Sequence, residues 1–219
     1  MNIFIESSSL PEVRSAFASG FADGVVVAGS PYSGNGSADG RQLIEAMAQE
    51  FAIPICVEIG AVSSDDMYRE AREIARISDH IIVQLPLVED AIEPMHRLSI
   101  EGVDVCANFV FTGAQAVLAA KAGASMVRVS LHDLEFQGQT SADAVSEIRS
   151  LLDVSHCECD VMVASPLTST QFSECIAAGA QIVSIRSDLL SSFLLHPLTD
   201  RSVDRFLSGL SRRRSGHDE

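Results

Sequence analysis

The segment Asp79-His80-Ile81-Ile82-Val83-Gln84-Leu85-Pro86-Leu87 decides the fold. Its core is an unbroken apolar run rich in Ile, Val and Leu, which suits a strand covered on both faces, as in a parallel sheet. Gln84 is the exception within it. A buried amide costs a few kcal/mol unless something hydrogen-bonds it. Gln84 therefore either has a structural partner or faces a polar cavity.

Working outward, runs of the same kind recur along the chain. Strands are expected at 2–6, 24–28, 54–59, 80–85, 103–109, 125–131, 159–165 and 181–186. Helical patterns alternate with them. In 64–77, Met67, Ala71, Ile74 and Ala75 make one apolar face, with charges opposite. Ser63 has Asp66 three residues on, and Thr168 with Gln171 has the form of a capping box. Gly123 and Gly179 fall where helices should stop. Eight short βα repeats in 219 residues imply one (β/α)8 TIM barrel spanning 1–219. A doubly wound open sheet is the alternative, although it would usually need fewer repeats.

Composition narrows the partners. A formal charge of −15 argues against nucleic acid or an anionic membrane surface. Arg212, Arg213 and Arg214 are followed by His217, Asp218 and Glu219, which reads as a solvated tail. No apolar stretch approaches the length of a membrane span. The alternating run Met1 to Glu6 does not resemble a secretory signal. Five cysteines, an odd number and partly in strands, fit a reducing compartment, so a cytoplasmic location is expected.

Active sites of such barrels lie at the C-terminal ends of the strands. Those ends are Glu6, Ala28, Glu58, Gln84, Asn108, Arg128 with Ser130, Ser165, and Arg186. Seven of the eight are polar or charged, a clustering that isolated core polars would not produce.

Several stretches carry a specific resemblance: NIFIESSSLPEVR (2–14), CVEIGAVSSDDM (56–67), GAQAVLAAKAGA (113–124), VMVASPLTSTQFSECIAAGA (161–180) and HPLTDRSVDRFLSGL (196–210). The last two match in order and spacing as well as wording. In these the chain resembles the transaldolase family, specifically its short fructose-6-phosphate aldolase-like members, over nearly its whole length. The resemblance implies a (β/α)8 barrel, a ring-shaped homo-oligomer assembled through a C-terminal helix at about 198–212, and class I aldol chemistry. In that chemistry a strand-four lysine forms a Schiff base with a ketose carbonyl.

The family's strand four reads roughly VVKVPV; here it is IVQLPL, so Gln84 stands in the Schiff-base slot. An amide nitrogen cannot form that iminium. Lys121 is the chain's single lysine and lies in an expected outer helix. Other matched positions also differ. Glu6 replaces an aspartate, Ala28 an asparagine, Asn108 a threonine and Ser130 a proton-transferring tyrosine. Asp133 replaces a phosphate-binding arginine and Leu167 a basic residue, while Ser165 keeps the family's serine.

What remains permits chemistry without a covalent adduct. Glu6 and Glu58 are candidates for general acid–base work, with Gln84 and Asn108 as donors to a carbonyl or enolate oxygen. Arg128 and Arg186, with Ser130 and Ser165, would bind an anionic substrate, the arginines bidentately. Alternatively, the arginines pair with Glu6 and Glu58 and simply neutralise them. The expected ligand is a sugar phosphate or related anionic carbonyl compound, with no cofactor and no metal. The alternative is a catalytically inactive barrel serving as a binding or assembly subunit.

Weaker signals point elsewhere. Ser130, His132 and Asp133 have the letters of a hydrolase triad but cannot readily face one another from a single strand-to-loop run. His156, Cys157, Cys159 and Asp160 resemble a metal cluster, yet precede a strand at the wrong mouth of the barrel and lack a second pair. The loop at 29–41 is glycine-rich without a P-loop lysine and is expected to be a lid.

Overall fold

The computed structural model describes residues 1–27, 37–136, 138–166 and 168–215. Strand β1 (Asn2–Glu6) leads into helix α1 (Leu10–Ala18), then β2 (Gly24–Val26), α2 (Ser37–Glu50), β3 (Ile55–Glu58) and α3 (Ser64–Ala75). The alternation continues through β4 (Ile81–Pro86), α4 (Glu89–Ile100), β5 (Asp104–Asn108), α5 (Gly113–Lys121) and β6 (Met126–Ser130). A short α6 (Leu131–Phe136) precedes α7 (Ser141–Val154), followed by β7 (Asp160–Ala164), α8 (Ser169–Ala177) and β8 (Ile182–Ile185). Helices α9 (Ser187–Ser192) and α10 (Pro197–Ser215) complete the described chain.

The eight strands pair in chain order into a closed barrel. β8 returns to β1 in parallel, with Phe4 opposite Ser184. Closure excludes the open doubly wound sheet. Two compact units are present, Met1–Ser187, which holds the whole barrel, and Asp188–Glu219. The second contains α10, which covers the helix expected at about 198–212, with Leu198, Val203, Phe206 and Leu207 exposed.

Period-two alternation sorts the strand residues into two environments. Odd positions such as Val25, Val57, Val83, Val105, Val127, Val161 and Val183 pack into the large cluster between sheet and helices. Even positions turn into the barrel. There Phe4, Val26, Cys56, Ile82, Cys106, Met126, Met162 and Ile182, one from each strand, form a separate apolar layer. The next even positions toward the C-terminal ends are Glu6, Glu58, Gln84, Asn108, Arg128, Ala164 and Ser184. Ala28, the corresponding position after β2, lies outside the described residues. A polar layer therefore rests directly on an apolar floor.

Local signals hold the helices in place. Ser63 accepts from the Asp66 amide at the start of α3, whose buried face is Met67, Ala71 and Ile74. Thr168 and Gln171 form the expected capping box on α8, and Thr112 with Gln115 forms a second on α5 that the sequence analysis did not single out. Gly123 and Gly179 adopt φ of 103° and 106°, a region only glycine enters freely. Lys121 closes α5 and is exposed, at the opposite end of the barrel from the polar layer.

Gly24 has a different reason to be glycine. It pairs with Phe4 in register, and a methyl group at Gly24 would approach the Phe4 ring to 2.5 Å. The ring is 2% exposed and has nowhere to move. Gly24→Ala should therefore cost about 2 kcal/mol by overpacking, read as a lower urea midpoint with unchanged slope. An unchanged midpoint would show that the barrel floor is loosely packed.

The floor also carries a pH signature. Burial pushes the Cys56 thiol from 9.0 up to about 12, and Cys106 is raised well above its ordinary value for the same reason. A raised folded-state pKa means that above about pH 9 the unfolded chain loses protons which the folded chain keeps. Stability should be flat between pH 7 and 8 and fall from about pH 9 upward. Denaturation midpoints at pH 7.5 and 10 measure this, and Cys56→Val should reduce the difference.

Candidate functional site

Glu6 organises the polar layer. Its carboxylate sits inside the barrel at 12% side-chain exposure and accepts from three other strands or strand ends. Arg128 Nη2 donates to Oε1 at 2.9 Å, Ser184 Oγ donates to Oε1 at 2.6 Å, and Ser165 Oγ donates to Oε2 at 2.6 Å. Arg128 extends the network through Nη1, which donates to Asn108 Oδ1 at 3.4 Å. Asn108 Oδ1 also accepts from the Phe109 amide at 3.2 Å. β1, β5, β6, the end of β7 and β8 are thus joined across the lumen.

Ser165 reaches this network against the alternation. As an odd position it should point away from the lumen, but its backbone lies in the left-handed region at φ 54°, which turns it inward. Phe109, just past Asn108, is likewise left-handed at φ 61° and remains exposed. Bulky residues rarely adopt this conformation, and such outliers concentrate at functional sites.

The β3 and β4 side of the layer is not tied in. Glu58 and Gln84 are register partners on adjacent strands. Gln84 is 1% exposed, and its Nε2 has no hydrogen-bond partner among the described residues. Arg128 Nε is the other such buried atom. The amide oxygen of Asn108 is occupied, while its Nδ2 has no described partner. No hydrogen bond or ion pair engages the Glu58 carboxylate among the described residues. The layer has a saturated half centred on Glu6 and an open half with unused donors beside an unengaged carboxylate.

Comparison with known proteins identifies the scaffold. Residues 37–215 match the model of the transaldolase/fructose-6-phosphate aldolase family. The chain belongs to this family. It is 32% identical over 208 residues to a probable transaldolase of Petrotoga mobilis, covering 95% of this chain and 94% of that one. Probable transaldolases of Methanococcus maripaludis and Bdellovibrio bacteriovorus are each 30% identical, with 96% of each relative covered. A transaldolase-family barrel is thus present from end to end, and its mouth is the polar layer just described.

The residues singled out in the sequence fall into place unevenly. Glu6, Asn108, Arg128 and Ser165 are brought together, and Glu58 and Gln84 lie beside them. Ser130 is one even position farther out on β6, half-buried, and Arg186 is exposed just after β8. For Arg128, the neutralising arrangement with Glu6 is the one present. Ser184 was missed. Its signal was parity, because it lies two residues before Arg186 on the same face of the strand.

The remaining motifs do not assemble. His132 and Asp133 are 3.6 Å apart on exposed α6, at 74% and 55% side-chain exposure, so no Ser130 triad forms. Among the described residues no group of three or more His, Cys, Asp or Glu could hold a metal ion. No described helix is long and apolar enough to cross a membrane. Of the glycine-rich loop, residues 29–36 lie outside the described residues, as does Leu167.

Removing Arg128 leaves Glu6 a buried charge without its cation. Arg128→Met should destabilise the protein by about 3 kcal/mol, and adding Glu6→Gln should recover much of that loss. A double-mutant cycle by chemical denaturation measures the coupling. Strictly additive effects would mean the pair contributes no net interaction.

Proposed function

We propose that this transaldolase-family barrel binds a sugar phosphate or related anionic carbonyl compound in its mouth, and that its lyase or isomerase chemistry proceeds without a Schiff base. The observation that carries this reading is the open half of the polar layer. At the family's lysine position stands Gln84, an amide with unused donors, beside the unengaged Glu58 carboxylate. The only lysine, Lys121, is at the other end of the barrel.

Hydrogen bonds take the place of a covalent bond in this chemistry. Glu58 removes a proton from the substrate, either from carbon next to the carbonyl or from a hydroxyl one carbon farther along. In the first case the electron pair flows to the carbonyl oxygen and gives an enediolate; the proton of the adjacent hydroxyl passes to that oxygen, and Glu58 returns its proton to the former carbonyl carbon, which completes an isomerisation. In the second the C–C bond breaks, and its electrons pass to the same oxygen. Gln84, with Asn108 beside it, supplies donors to that developing negative charge, an arrangement worth several kcal/mol in a water-poor site. Glu6 is held by three donors and serves to position Arg128 rather than to move protons. Arg186 at the rim is suited to the anionic end of the substrate. Exposed apolar residues on α10 support a homo-oligomer, with a ring as the form the resemblance implies, and the family's metabolic role supports a cytoplasmic setting.

A second reading has its own support. The Glu6 network occupies one half of the mouth with protein–protein hydrogen bonds, which suits an inactive barrel used for binding or assembly.

Two measurements separate these readings. Borohydride added with a ketose phosphate should leave the protein mass unchanged, because no iminium is present to reduce. Deuterium exchange from D2O into the carbon next to the substrate carbonyl should occur and fall about 100-fold or more in Glu58→Gln. A borohydride adduct would refute the non-covalent route. Absence of exchange across sugar phosphates, free sugars and sugar acids would favour the assembly reading.

A further inference from the structure

After Asn108, alternation assigns position 109 to the apolar layer between sheet and helices. Phe109 is not there. Its backbone is left-handed at φ 61° and it is 47% exposed, while Val110 and Phe111 supply the packing against that layer. The same conformation at the equivalent place after β7 turns Ser165 into the lumen, where its Oγ donates to Glu6 at 2.6 Å. The turn at Phe109 is also pinned on both sides. The Asn108 carbonyl accepts from the Leu87 amide at 2.9 Å, the Phe109 amide donates to Asn108 Oδ1 at 3.2 Å, and the Val110 amide donates to the Arg128 carbonyl at 3.3 Å. Single exposed phenylalanines are ordinary and need no function. A phenylalanine fixed by the polar layer in a conformation that bulky residues avoid, and left half-exposed at the mouth, does need one.

The chain around it is apolar or acidic. The segments that follow β3, β4, β5 and β6, at 59–63, 87–88, 109–112 and 131–140, contain no lysine or arginine. Their one histidine, His132, stands 3.6 Å from Asp133. Val62 and Val88 are exposed in the first two of these segments, and the helices they lead into open with Asp65, Asp66, Glu89 and Asp90. A phosphate or carboxylate on this side of the mouth would meet like charge and no lysine or arginine. An uncharged carbon chain would meet apolar side chains beside the open half of the polar layer.

We propose that Phe109 is a specificity-determining residue, whose ring forms an apolar shelf on the β3–β6 side of the mouth and takes the uncharged carbon chain of the substrate. The substrate class is then a hydroxyketone or hydroxyaldehyde with a deoxygenated, alkyl or aryl end on this side, and with any anionic group on the other side of the rim. This rests on the functional reading above and narrows its substrate.

Two probes with the same reactive head test this, 1-hydroxy-4-phenylbutan-2-one and hydroxyacetone, with binding to the intact protein measured by calorimetry. The parent should bind the phenyl compound about tenfold more tightly. Phe109→Asn removes the ring but leaves a residue that enters the left-handed region readily, and Phe109→Tyr keeps the ring. The asparagine variant should lose about tenfold in affinity for the phenyl compound and less than about twofold for hydroxyacetone. The tyrosine variant should retain the preference. The urea midpoint of the asparagine variant should stay level or rise, because a strained and half-exposed ring is replaced by a residue suited to that backbone. No binding or no preference in the parent, or equal changes for both probes, would overturn the shelf. So would a lower midpoint in the asparagine variant, because the ring would then be a structural contact. Deuterium exchange dependent on Glu58 is measured separately on both probes. Exchange without a phenyl preference leaves the functional reading standing and removes only the shelf. A phenyl preference lost in the asparagine variant, with no exchange from either probe, leaves the shelf as a binding surface and favours the assembly reading.

Discussion

A carboxylate inside a closed β-barrel must be answered by groups from strands far apart in the chain. Glu6 is such a carboxylate, and its partners Arg128, Ser165 and Ser184 lie 122, 159 and 178 residues farther along the chain. Burying the charge is tolerable only because three donors meet it at once. Arg128 is spent on Glu6 and Asn108, and the strands those residues occupy cannot offer the same groups to a ligand. Among the described residues, the buried side-chain nitrogens of this layer without a hydrogen-bond partner are Gln84 Nε2 on β4 and Arg128 Nε on β6.

The positive charge of the layer comes from β6. Arg128 pairs with Glu6 across the lumen, while position 84 carries the neutral amide of Gln84. The apolar layer beneath, which includes Cys56, Cys106 and Met162, packs by size and shape. The fold is therefore decoupled from the identity of the group at position 84, as expected where function is carried by side chains placed on a stable frame.

The strands were legible in the sequence because each is short, apolar and flanked by helical periodicity, and the eight expected runs each overlap one observed strand, with β4 running one residue past its expected end. The inward residues Glu6, Gln84, Asn108 and Arg128 were legible for a related reason, since strand C-terminal ends mark the mouth. Pairing was not. Whether Arg128 meets Glu6 or Glu58 depends on the stagger of strands around the barrel, which no local pattern encodes. Ser184 escaped notice because it is small and sits inside its strand rather than at the end. Ser165 was named for its position, yet its inward direction follows from a left-handed backbone that alternation alone would deny.

Lys121, alone among the side chains of this protein in carrying a primary amine, closes an outer helix just before β6 begins. The mouth lies at the other ends of the strands. Amine-directed coupling through that side chain therefore attaches the barrel by its back and leaves the polar layer facing outward. The same scarcity makes the side chains poor targets for stray reaction with sugars. Only this one side-chain amine is available for a carbonyl to modify, and it stands on the far side from the polar layer.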